Sequence, residues 1–104
     1  MAFEENNPPE LRALRSSIDN LDTALIHLLA ERFKTTRKIG EYKLAHNLPP
    51  VAPERENAQI ERIRNIAIQA GLEPELAQGI LEFIIREVVA RHRNLKPEAN
   101  RRTT

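Results

Sequence analysis

Four ionisable residues, Arg32, Lys43, Glu56 and His92, stand where the surrounding pattern asks for apolar side chains. Counting by sevens from Leu11 gives Leu11, Ile18, Leu25, Arg32 and Ile39, beside a companion row of Leu14, Leu21, Leu28, Thr35 and Tyr42, so Arg32 takes a leucine's place. Lys43 follows eleven residues after Arg32, which on a helix returns it to within about 20° of the same direction. Further on, Glu56 heads the row Glu56, Ile60, Ile63, Ala67 and Ala70, and His92 is the polar member of Leu81, Ile85, Val88, His92 and Leu95. Arg15 flanks the early part of the first row.

Taken singly, each has an ordinary explanation. An Arg at a core position can snorkel or pair with a carboxylate, and a His on an apolar face can be a satisfied core residue. Glu56 in a first helical turn and Lys43 near a helix end can complement the helix dipole, and Arg37 and Arg55 can be solvated surface charges. Taken together they suit a different purpose, because several cations around one carboxylate are expensive to bury unless an anion arrives to pair with them. A small, multiply charged anion fits that set. The set holds no serine or cysteine nucleophile, the chain has no cysteine, and His27, His46 and His92 lack metal-ligand spacing. Such a site is expected to use no metal and no cofactor and to work by binding and electrostatics.

The elements that must carry these residues read as helices. The chain has 104 residues, enough for one domain, and 40% are apolar, while the aromatics are three Phe and one Tyr and there are three glycines. That mixture predicts an all-α fold. Asn7-Pro8-Pro9-Glu10 reads as a capped helix start, and no proline interrupts before "NLPPVAPE", so helix 1 is predicted from about residue 8 to about residue 46. Helix 2 starts at Pro53, with Glu54 and Glu56 in its first turn, and stops at Gly71; helix 3 starts at Pro74 and fades near Leu95. Residues 1–7 are expected to form an arm, residues 8–95 the helical domain and residues 96–104 a disordered tail.

At 1.5 Å per residue, ~38 residues span roughly 57 Å, whereas a domain of this size is about 35 Å across. Helix 1 must therefore overhang its own fold while its apolar stripe continues, and a second copy of the chain is the economical cover. An intertwined homodimer is the expectation, a break at Gly40 the alternative. Sixteen Lys and Arg against fifteen Asp and Glu leave a net charge of +1, so no global field draws the chain to nucleic acid or membrane. The start "MAFEENNPPE" has no signal-peptide pattern, and no apolar stretch approaches the ~20 residues of a membrane span, which predicts a cytoplasmic protein.

"LRALRSSIDNLDTALIHLLAERFKTTRKIGEYK", "PPVAPERENAQIERI" and "FIIREVVARHR" resemble the all-helical, AroQ-type chorismate mutases. The resemblance runs from about residue 10 to about residue 95, and its most telling parts are LR..ID.LD..L..LL.ER, the lysine eleven residues beyond that arginine, and P.RE opening helix 2. It implies a dimer whose long first helix crosses into the partner, with chorismate as substrate and prephenate as product. It also implies roles. Arg15 from the partner subunit and Arg32 would hold the two carboxylates of chorismate. Lys43 would contact a carboxylate and the ether oxygen, Glu56 would accept a hydrogen bond from the ring hydroxyl, and Arg55 would lie on the carboxylate side. Three positions depart from the family: Ala52 where an Asp often caps helix 2, Val88 where a Ser is common, and His92 where the ether-oxygen donor is usually Gln and sometimes Glu.

The rearrangement is an intramolecular [3,3] shift that needs no nucleophile. The protein must fold the enolpyruvyl arm over the ring and stabilise negative charge growing on the ether oxygen. Isochorismate pyruvate lyase is a sister activity on the same scaffold, and "VAPER" with its missing Asp resembles that branch, but Glu56 stands where the lyase would be apolar. A different class, a dimeric helical interaction or nucleic-acid module, would use the basic ends "RHRNLK" and "NRR", which lack aromatic stacking partners.

Overall fold

A computed structural model of the chain describes residues 8–94. Its elements are three helices: α1 (Pro9–Ala45), α2 (Pro53–Ala70) and α3 (Pro74–Asn94), with no strand among the described residues. The fold is all-α, as expected. Each helix opens on a proline, whose fixed φ and missing N–H suit the first helical position. The cap at Asn7, the end near Leu95, the arm (1–7) and the tail (96–104) lie outside the described residues. Helix α1 runs for 37 residues without interruption through Gly40, so the alternative of a break there is not realised.

Two of the helix ends close in the same way. After α1, Asn47 takes a left-handed φ of 55°, Asn47 N donates to Leu44 O at 3.5 Å, and Leu48 N donates to Lys43 O at 2.9 Å. After α2, Gly71 takes φ 78°, Gly71 N donates to Ile68 O at 3.2 Å, and Leu72 N donates to Ala67 O at 2.8 Å. Both are Schellman ends, using the two residue types that tolerate the left-handed region best. Helix α2 starts differently. Ala52 is its N-cap at φ −130°, ψ 89°, and has no side chain to cap the free N–H groups.

The molecule divides into two units, residues 1–34 and 35–104. In the second, α2 packs on α3 around Ala67, Ala77, Leu81 and Ile84, all buried. Alanines at two of these positions let the backbones approach closely. The row Ala77, Leu81, Ile84 is turned from the expected Leu81, Ile85, Val88 face, and Ile85 and Val88 are half-buried. Helix α3 is apolar on several sides, so packing against α2, and not local pattern, selects the face. Ala70, expected in the buried row of α2, is exposed in its last turn. A polar rim ties the two helices: Arg64 Nη1 donates to Gln78 Oε1 at 2.9 Å, Gln78 Nε2 donates to Glu82 Oε2 at 3.2 Å, and Arg64 Nη2 lies 3.5 Å from Glu75 Oε1.

In the first unit, α1 carries its apolar row in the open. Leu14, Ile18, Leu21, Leu25 and Leu28 are each more than half exposed, while Leu11, Leu29, Arg32 and Phe33 are half-buried.

Candidate active site

In the last turns of α3, the side chain of His92 reaches α1. His92 Nε2 lies 3.0 Å from the backbone oxygen of Thr36, and both residues are half-buried. A helix carbonyl is ordinarily covered by its own i+4 N–H and by side chains that lean toward the N-terminus over the preceding turn. Four residues after Thr36 stands Gly40, the buried residue of α1, which has no side chain to lean. A glycine in a helix interior is disfavoured by about 1 kcal/mol, and with no side chain at position 40 none leans over the Thr36 carbonyl from there.

Lys43 lies two turns beyond Thr36 on α1 and is half-buried. Its Nζ donates to the carbonyl oxygen of Pro50 at 3.4 Å, across the turn that joins α1 to α2. Just past that turn, Glu56 is half-buried, its backbone N–H donating to Ala52 O at 3.1 Å in the first bond of α2. Arg55, one residue earlier, is exposed, and Val88, one turn before His92, is half-buried. The second unit therefore holds Lys43, Glu56, Val88 and His92 at intermediate depth, where a side chain is partly desolvated yet open to a ligand. Of the two residues in the first unit, Arg15 is exposed and Arg32 half-buried. No described side-chain nitrogen or oxygen is fully buried without a hydrogen-bond partner.

Residues 14–93 match the family described as chorismate mutase type II. The chain belongs to that family. It is 41% identical over 80 residues to the T-protein of Haemophilus influenzae, covering 77% of this chain and 21% of that protein. It is 40% identical over 83 residues to the bifunctional chorismate mutase/prephenate dehydratase of Aquifex aeolicus, covering 78% and 22%. The chorismate mutase of Methanocaldococcus jannaschii is 28% identical over 76 residues, 73% of this chain and 77% of that protein. The chain spans about a fifth of the length of the first two relatives.

The chorismate mutase type II match spans every residue singled out from the sequence, from Arg15 to His92. Three features of the described structure were not among the candidates: the Thr36 carbonyl, the Pro50 carbonyl and the buried Gly40. Two are backbone groups, about which side-chain type says nothing. The third left a signal, a glycine inside a long helix, where close approach of another element is the usual reason for keeping one.

Proposed function

We propose that the chain catalyses the rearrangement of chorismate to prephenate, a step toward phenylalanine and tyrosine. The observation that carries this is the match of residues 14–93 to the chorismate mutase type II family. The half-buried Lys43, Glu56 and His92 are compatible with it, since the reaction needs oriented charges and no covalent partner. Arg32 and the partner subunit's Arg15 bind the two carboxylates and hold the enolpyruvyl arm over the ring. Lys43 reaches one carboxylate and the ether oxygen, on which charge grows as the C–O bond breaks. Glu56 accepts a hydrogen bond from the ring hydroxyl, Arg55 adds positive charge at the carboxylate side, and Val88 offers an apolar wall. His92 stands at the position of the second ether-oxygen donor.

The same proposal includes a homodimer with two shared sites. Its support is the exposed row Leu14, Ile18, Leu21, Leu25 and Leu28, a length of apolar surface that a second copy of α1 would cover. No helix among the described residues is long and apolar enough to cross a membrane, which accords with a cytoplasmic enzyme. Isochorismate pyruvate lyase and a non-catalytic module are not favoured. Incubating the purified protein separately with chorismate and isochorismate tests the choice. Prephenate from chorismate is expected; pyruvate and salicylate from isochorismate, without prephenate, would overturn the assignment.

A further inference from the structure

We infer that His92 is a positioning residue when neutral and a donor to the reacting ether oxygen only when protonated, because the Thr36 carbonyl takes its single neutral N–H. The inference rests on the chorismate mutase assignment and deepens it. A carbonyl oxygen accepts and cannot donate, so the 3.0 Å contact between His92 Nε2 and Thr36 O requires the proton on Nε2. In the neutral ring Nδ1 then carries a lone pair, which repels a developing oxyanion. Protonation adds the Nδ1 proton while leaving the Thr36 bond in place. The imidazolium has one N–H to hold α3 on α1 and a second to give to the substrate.

A primary amide at this position works differently, since its NH₂ carries two donors and serves both the carbonyl and the substrate at any pH. Gly40, four residues after Thr36, has no side chain to lean over the Thr36 carbonyl. The charged groups nearest in sequence to the two partners within the second unit are Arg37, Lys38, Glu41 and Lys43 on α1 and Arg86, Glu87, Arg91 and Arg93 on α3, and Arg37 pairs with Glu41 at 3.3 Å. Glu87 is engaged by Arg91 at 2.8 Å.

Two measurements on the full chain decide this. Imidazole ¹⁵N–¹H correlation spectra of the wild-type protein above the ring's ionisation should show His92 as the Nε2–H tautomer; a dominant Nδ1–H tautomer overturns the inference whatever the activity. At saturating chorismate, kcat should fall by at least about tenfold as pH rises through the His92 ionisation followed in the same spectra, the scale of a hydrogen bond to a charged group. His92→Gln should flatten the step and turn over faster than wild type at the alkaline end. A flat wild-type profile, or a step that survives in His92→Gln, overturns the donor role. If the Nε2–H tautomer is present but chorismate is not turned over at any pH, the assigned function fails with it and His92 is a structural tie alone.

Discussion

Lys43 and Pro50 are joined across the turn between α1 and α2, the ammonium donating to the carbonyl at 3.4 Å. A prolyl carbonyl is a well-placed anchor, because the ring on its own residue fixes φ and the neighbouring Pro49 limits the turn further. The contact is long enough to yield to a carboxylate or ether oxygen, yet it holds a flexible four-carbon chain toward the side where α2 begins.

Removing the ammonium therefore removes an oriented charge. Lys43→Met, which keeps the stem, should lower kcat for chorismate by about 10²–10³-fold, the effect of deleting one preorganised donor at a developing oxyanion. Far-ultraviolet circular dichroism should be unchanged. A folded variant with wild-type kcat would make Lys43 a residue that fastens the turn and nothing more.

How far such features could be read in advance differs from element to element. The starts of α2 and α3 were legible because Pro53 and Pro74 announce them, that of α1 to within one residue of Pro9 from the Asn7-Pro8-Pro9 run, and the end of α2 because Gly71 suits the left-handed position it takes. The buried face of α3 was not, since Ile80, Leu81, Phe83, Ile84 and Ile85 offer apolar side chains in several directions and packing against α2 chooses among them. Arg32, Lys43, Glu56 and His92 were legible as polar residues in apolar rows. Their surroundings were not, because backbone carbonyls of Thr36 and Pro50 leave no trace in residue type.

Glu56 sits in the first turns of α2, where a carboxylate also complements the helix dipole, so loss of binding and loss of stability must be separated. Glu56→Ala should reduce kcat/KM for chorismate by about 1.5–3 kcal/mol, the range for hydrogen bonds to charged groups. Urea unfolding should shift by less than about 1 kcal/mol, the dipole contribution. Unchanged kinetics with a shifted urea midpoint would assign Glu56 to the helix end alone.

The proposed homodimer with shared sites can be tested with mixed chains. Arg15→Ala and Arg32→Ala chains should each be nearly inactive, but a mixture allowed to exchange should recover activity. Half-sites carrying the partner's intact Arg15 beside an intact Arg32 are then rebuilt in the heterodimer. Recovery should approach one quarter of the wild-type rate, on the order expected when half the dimers are mixed and one of their two sites is whole. No recovery after exchange has been verified by mass labelling would mean that each site is built within one chain.

Ala52 offers the opposite kind of test, a gain. It is the N-cap of α2 at φ −130°, ψ 89°, outside the helical region, and it makes no side-chain cap hydrogen bond. Ala52→Asp would let a carboxylate accept from the free N–H groups of the first turn and would sit favourably at the positive end of the helix dipole. Glu54 and Glu56 already place negative charge in that turn, which trims the gain. The variant should therefore be more stable by about 0.5–1 kcal/mol at neutral pH, the lower part of the capping range. Because the stabilisation requires the carboxylate form, it should vanish as pH falls through the Asp ionisation. If Ala52→Asp also stands close to the ring hydroxyl, KM for chorismate should drop along with the stability gain. An unchanged urea midpoint at pH 7 would show that the first turn of α2 is satisfied by solvent and that the missing cap carries no penalty.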